Sequence, residues 1–473
     1  MPQVPRLVSI LAAPAVLALL VAGCQATTRH ARQAPLDREG EVYLYLQPLE
    51  GEAERLAFTI ESVSVSRNDG APIPLQLGIE AVEGSRAGGQ RLLASGRIPP
   101  GAYGGFLLKV KRATLDKDGS VADLLVPREA TRIDVPFSLQ EGRARVVSLS
   151  FQFGASISTG MAFSPAFKAV IPSAAFAQLV GYCSNTAADN LTVFDRRSRQ
   201  VVGVIPTGRA PMGMALDPVL RLAYVALSDD DQVQVLDIQS GEPLRRISLR
   251  AGDRPREVGL SPDGRLLVSV NPGSNTASFV DAAASQELSR VPTGDNPVSL
   301  LLDRRGQRAF VFNNGSSSIT VLDLANRAVA GTVATEAQPV RGALNAAGTR
   351  LFVIHAGSTY MTVLSLPDLA PVARVFVGFG ASALRSDPRT DFLYLGKRDD
   401  DRIQVFSSQI SLPVSRLEVP DWVSDMAIDE TQGVLFSLMP SSRSLAATDL
   451  ASGRMISRMD VGDGPYQVVV ISR

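Results

Sequence analysis

The chain has 473 residues, is 45% hydrophobic and 20% charged, and carries 47 basic against 47 acidic side chains. That balance leaves no global positive field to attract nucleic acid, and the composition is that of a globular protein with a sizeable core. With two histidines and two cysteines in all, the chain is poor in zinc ligands, and a cysteine-rich disulfide framework is excluded.

The first stretch, MPQVPRLVSILAAPAVLALLVAGC, places Arg6 before an apolar run from Leu7 to Leu20 and then small residues before a cysteine. This is the pattern of an export signal, too short for a spanning helix. Its end, Val21-Ala22-Gly23-Cys24, resembles the lipobox of bacterial lipoproteins. The resemblance implies cleavage after residue 23, acylation of Cys24 and a membrane partner reached through that lipid. Gln25 at the next position implies, by the same family's sorting rule, the outer membrane. Residues 24–40 then read as a polar tether. If Cys24 is acylated, Cys183 has no partner for an intramolecular disulfide.

From Glu41 the pattern alternates with a period of two. EVYLYLQPL, LAFTIESVSVSR, IPLQL, GFLLKVKRATL, TRIDVPFSL and ARVVSLSFQF are strand-length runs separated by turn residues at Asn68-Asp69-Gly70, Pro99-Pro100-Gly101, Asp118-Gly119 and Glu141-Gly142. Residues 41–158 are therefore expected to form a small antiparallel β-sandwich. The phrase IPPGAYGGFLLKV resembles the Pro-Gly-x-Tyr turn of transthyretin-like and carbohydrate-binding-like sandwich modules, which implies a fold and no ligand. Residues 159–179, rich in Ala and interrupted by Pro, read as a linker.

Residues 180–473 repeat. The residues closing every third apolar run are Asp195, Asp237, Asp281, Asp323, Ser365, Ser407 and Asp449, spaced 42, 44, 42, 42, 42 and 42. A second ruler agrees: Pro211, Pro255, Pro297, Pro339, Ala381, Val423 and Pro465 are spaced 44 and then 42 throughout. Units of about 40–45 residues with short alternating runs and frequent Gly or Pro are the signature of a β-propeller. The fold class expected is all-β, a seven-bladed β-propeller preceded by the small sandwich. The repeat starts on a second strand, VGYCSN, and finishes on a lone first strand, PYQVVVISR. The last strand is therefore expected to complete the first blade, because an open ring would leave an unpaired edge.

The runs YVALSDDDQVQVLDI, LLVSVNPGSNTASFVD and FVFNNGSSSITVLDL resemble the YVTN β-propeller repeat. That family includes surface-layer proteins, envelope binding proteins and propellers that scaffold enzymes. The fifth and sixth units depart most, with Ala381 and Val423 in place of proline and Ser365 and Ser407 in place of aspartate.

Residues just after each proline position are expected at the channel mouth: Arg256, Glu257, Ser299, Arg341, Ser424, Asp425, Tyr466 and Gln467. They could bind a polar or anionic group, or satisfy one another. Two acidic triplets stand at equivalent loop positions. Asp229 and Asp231 in one, and Asp399 and Asp401 in the other, could hold Ca²⁺, the one cofactor considered, or serve as solvated turns. Trp422, with Phe379 and Tyr360 nearby in loops, suits an interface anchor or packing between blades. His355 replaces the Asn of the repeat and reads as a hydrogen-bonded structural residue.

Two functions follow. The first is a lipid-anchored envelope protein whose propeller face binds a protein, glycan or small molecule. The second is a hydrolase, lactonase or lyase working through carboxylates and a divalent metal. Covalent haem attachment would need Cys-x-x-Cys-His, which the sequence lacks.

Overall fold

The computed structural model describes residues 39–67, 70–84, 88–117, 119–158, 161–173 and 179–471. The export segment, Cys24, nearly all of the tether and part of the 159–179 linker lie outside these residues.

The N-terminal region builds from nine strands: β1 (Gly40–Leu46), β2 (Leu56–Arg67), β3 (Ile73–Leu77), β4 (Ala81–Glu83), β5 (Arg91–Ile98), β6 (Gly101–Lys117), β7 (Ser120–Leu124), β8 (Thr131–Leu139) and β9 (Ala144–Phe151). After the two-residue strands β10 (Ile157–Ser158) and β11 (Ala162–Phe163), β12 (Phe167–Val170) adds to its edge. The order β12-β9-β1-β5-β3-β2-β6-β7, with β4 on β2 and β8 on β6, makes one 10-stranded sheet. Val42, Leu44 and Leu149 near one end share a core with Phe58, Phe106 and Ile133 near the other, so the sheet curls over on itself. The expected two layers are thus halves of one sheet. It is also mixed, because β1 runs antiparallel to β5 and parallel to β9.

Local chemistry fixes details of this sheet. Gly105 sits at a register shift between β6 and β8 with φ +147°, and a Cβ there would lie 2.0 Å from the carbonyl oxygen of Ile133. Only glycine tolerates both conditions. The Pro-Gly-x-Tyr turn has a mechanical role: Tyr103, fully buried, donates its hydroxyl back to the Pro99 carbonyl at 2.5 Å.

The second region is a ring of seven four-stranded sheets. We letter the blades B (residues 211–248), C (257–292), D (297–334), E (339–376), F (381–418) and G (425–460), each a continuous meander. Blade A is composite. It takes Val180–Asn185, Asn190–Asp195 and Gln200–Pro206 from one end of the repeat, and Pro465–Val470 from the other as its inner strand. Closure by the last strand is as the repeat phase demands. Inner strands of adjacent blades pack against each other all round the ring.

Burial explains the repeat. In blade D the second strand, Arg308–Asn313, is buried almost throughout while the outer strand, Ala328–Ala334, is almost wholly exposed. Second strands are therefore apolar on both faces because blades flank them on both sides. The aspartate ruler marks a turn: Asp195, Asp237 and Asp281 each accept two backbone N–H bonds from residues two and three positions on. The chain then takes a left-handed residue at Arg199, Gly241 or Ser285. This is an Asx turn between third and fourth strands. The Asn ending the second strand is a clamp. The Nδ2 of Asn313 donates to Ser318 and Thr320 on the third strand, and Asn185 and Asn271 do the same in their blades.

The curled sheet docks on the side of the ring. Side chains of β1 divide between two cores: Val42, Leu44 and Leu46 enter the sheet's own, while Tyr43 and Tyr45 pack with Val201, Val204 and Met459 of the propeller. That is why EVYLYL shows no polar face. Gln90, 1% exposed, joins two blades at once. Its backbone exchanges hydrogen bonds with Arg458 and Asp460 of blade G, and its side-chain oxygen accepts from the Val201 amide of blade A at 2.6 Å.

Candidate functional site

Each inner strand enters the ring from the loop face at its proline position, so the next residues form successive tiers lining the channel. The second residue after each proline position gives the tier Gly213, Glu257, Ser299, Arg341, Ala383, Asp425 and Gln467. Small residues at 213 and 383 let longer neighbours bond across them. Gln467 of blade A donates its Nε2 to Glu257 of blade C at 2.6 Å, past Gly213, whose missing Cβ would lie 2.7 Å from the Glu257 Cα. Arg341 of blade E donates to Asp425 of blade G at 2.8 Å, past Ala383. One residue nearer the mouth, Arg256 donates to the Tyr466 hydroxyl at 3.0 Å and lies over its ring at 5.7 Å.

The structure thus pairs six of the eight polar side chains expected here, while Ser299 and Ser424 donate to backbone carbonyls. Asp425, 2% exposed, is fully engaged: Oδ1 accepts from Arg341 and Oδ2 from the Val468 amide at 2.9 Å. Glu257, 5% exposed, is engaged on one side only, since Oε2 has no hydrogen-bond partner. Burial, with repulsion from Asp425 outweighed in part by Arg341, pushes its carboxyl up to about 7. Burial works against the Arg341 charge, but Asp425 and Glu257 hold that guanidinium protonated beyond its ordinary range. Ser299 and Ser382 donate to the carbonyls of Val340 and Val423 in the following blades, tying inner strands together.

Sequence reasoning missed Arg385, two residues further along the blade F inner strand. It makes no hydrogen bond or ion pair among the described residues, and burial lowers its tendency to hold its proton, with Asp425 opposing that effect. The signal was present in the repeat: its counterparts in the other blades are Ala215, Gly259, Leu301, Ala343, Ala427 and Val469.

The acidic triplets are placed in loops where other groups engage several of their carboxylates. Among the described residues no three His, Cys, Asp or Glu side chains converge as metal ligands. Asp231 spends its carboxylate on the Gly252 and Arg254 amides, and Asp230 is bound by Arg209. Asp400 is held by Lys397 and Arg402, and Asp401 lies 3.6 Å from Arg402. Asp229 and Asp399 belong to the same turns, Asp399 with a left-handed backbone. These are turns organised by basic neighbours and backbone donors.

On the rim of the loop face, Trp422 is partly buried. Its indole N–H donates to Ser441 at 2.6 Å, and the exposed Arg398 lies over its ring at 5.7 Å. Phe379, in the loop between blades E and F, is 72% exposed. Tyr360 packs edge-on to Phe376 and under Arg374 at 4.3 Å. His355 is fully buried at the Asn clamp position, with Nδ1 against the Tyr360 carbonyl at 3.2 Å and burial disfavouring its charged form.

No protein-family model and no curated protein matches the sequence. Among solved structures the chain is similar to the hydrazine synthase of Kuenenia stuttgartiensis, at 18% identity and a TM-score of 0.53 over 57% of this chain and 91% of that one. It is also similar to a functionally unknown protein from Desulfotomaculum acetoxidans, at 13% identity and a TM-score of 0.53 over 61% of this chain and 99% of that one. At such identities the likeness is one of fold.

Proposed function

We propose that the protein is a lipid-anchored binding protein of the bacterial cell envelope, of the YVTN-repeat kind, whose propeller loop face holds a protein or glycan partner. The observation that carries this reading is the rim: an aromatic ring 72% exposed at Phe379 stands in the loops beside Trp422 and its Arg398. Exposed aromatic and arginine side chains around a polar centre have the composition of an interface core. The acidic loops, engaged by Arg209, Lys397 and Arg402, favour binding over metal-assisted hydrolysis. Anchoring rests on Cys24 after its apolar run. Two or three acyl chains at roughly 0.8 kcal/mol per buried methylene hold a protein on a bilayer durably.

Two measurements test the reading. Wild-type protein is expected to incorporate labelled palmitate and to sediment with outer membranes, and Cys24→Ser to do neither. Chemical cross-linking in intact cells is expected to give a discrete adduct that Phe379→Ala with Trp422→Ala removes. A Cys24→Ser protein that stays on the outer membrane overturns the anchor. An adduct unchanged in the double variant, or no adduct, overturns the rim.

A further inference from the structure

The channel holds one unspent donor group and one unspent acceptor. Arg256 bonds Tyr466, and Arg341 bonds Asp425. The guanidinium of Arg385, a third arginine lining the same channel, has no hydrogen-bond or ion-pair partner among the described residues, and its tier is otherwise free of polar side chains. At ~3.3 Å per strand residue, its backbone lies about 7 Å further from the loop face than the tier of Glu257 and Asp425. Both oxygens of Asp425 are taken, whereas Oε2 of Glu257 is buried without a partner. Gln467 reaches Glu257 and Arg341 reaches Asp425 from blade to blade across the channel, so these carboxylates share its space with Arg385 one tier further in.

The Arg385 guanidinium, half-buried with five donors and no partner among the described residues, is set to take an anion, and its planar fork suits a carboxylate. A buried acceptor oxygen nearby calls for a donor on the same ligand. We propose that the propeller channel is a binding site for a small carboxylate bearing a hydroxyl or amino group, the carboxylate held by Arg385 and the donor by Oε2 of Glu257. The site is separate from the rim and independent of any partner there.

The test is calorimetric titration of the purified full chain in detergent at pH 8, using lactate, glycine, propionate and inorganic phosphate as probes. Lactate or glycine is expected to bind, and propionate, lacking the donor, to bind about tenfold more weakly. Arg385→Gln is expected to weaken binding of the preferred probe tenfold or more, and Arg385→Lys, which keeps the charge but loses the fork, to weaken it less. Glu257→Gln is expected to shrink the preference over propionate. Circular dichroism of each variant separates lost binding from lost folding. Should Arg385→Gln not fold, the Lys variant decides, because affinity equal to wild type there overturns the fork. The proposal is overturned if neither lactate nor glycine binds, if phosphate binds more tightly than both, or if Arg385→Gln binds as wild type does. Because the probes are small and the protein purified, such a failure leaves the rim reading untouched.

Discussion

Blades A and G end in outer strands that pack under the curled sheet, whereas blades D, E and F present theirs to solvent. In the covered pair Val201 and Met459 are fully buried; in the open set Phe376 is 69% and Leu412 57% exposed. The covered edges flank the joint where the ring is closed by strands far apart in the chain, and the open ones belong to blades made of consecutive hairpins. A contiguous blade is held by its own turns, Asx caps and Asn clamps. The composite blade is reinforced from outside by Gln90, Tyr43 and Tyr45, and from inside by Gln467.

The largest way to break this comparison is to remove the closing strand. A chain ending at Gly464 loses Pro465–Val470, the Val468 amide on Asp425 and the Gln467 bond to Glu257. Calorimetry is expected to show loss of cooperative propeller unfolding; a truncated ring that melts as wild type does would refute the special status of blade A.

The next test concerns the inner tie. The Glu257 carboxyl ionises ordinarily near 4.5 and in the fold near 7. Between those values the folded chain keeps a proton that the unfolded chain has released. The stability from this group is therefore full below 4.5 and is lost as pH rises through 7, by roughly 3 kcal/mol. Burial is the main cause, and Arg341, Asp425, Arg256 and Gln467 are the groups that face it. Glu257→Gln is expected to remove this slope from denaturant midpoints measured between pH 4.5 and 8. The carboxylates held low, such as Asp253, Asp323 and Asp400, act only at more acid pH.

Smaller effects sharpen the outer tie. Gln90→Ala strips the buried Val201 amide of its acceptor and is expected to cost about 1–3 kcal/mol in urea unfolding. Leu412→Thr on the open edge of blade F is expected to change stability by less than about 0.5 kcal/mol. Equal costs for the two would erase the distinction between covered and open edges.

The ring was legible because its periodicity is local chemistry repeated. Asp237 and Asn313 each do a job that can be seen within ten residues of chain, so two rulers sufficed to count the blades. The curled sheet was less so. Its strands showed themselves, but the parallel pairing of β1 with β9 joins segments about a hundred residues apart, and nothing local encodes that choice. The doubly apolar run at Tyr43 and Tyr45 did carry a signal, a second buried face. At the channel, lining up residues after each proline found Glu257, Arg341 and Asp425. Arg385 escaped because it stands four residues past its blade's proline position, below the mouth. For the acidic triplets, spacing along a loop says nothing of the basic side chains that fold over it, Arg209 on Asp230 and Lys397 on Asp400.

Closure by a distant strand also sets a timetable. The amide of Gln467 donates to Ser184 across 283 residues, a separation whose closure entropy is about 5 kcal/mol by the logarithmic rule. Six blades can form as hairpins while their chain is still emerging, but the seventh must wait for a segment nearly three hundred residues away. During that interval Val180–Asn185 offers an unsatisfied edge, and the C-terminal strand of a second molecule fits it as well as its own. Refolding at high concentration should therefore yield strand-exchanged oligomers, and dilution should favour single rings, an outcome governed by encounter rates and not by the stability of either product.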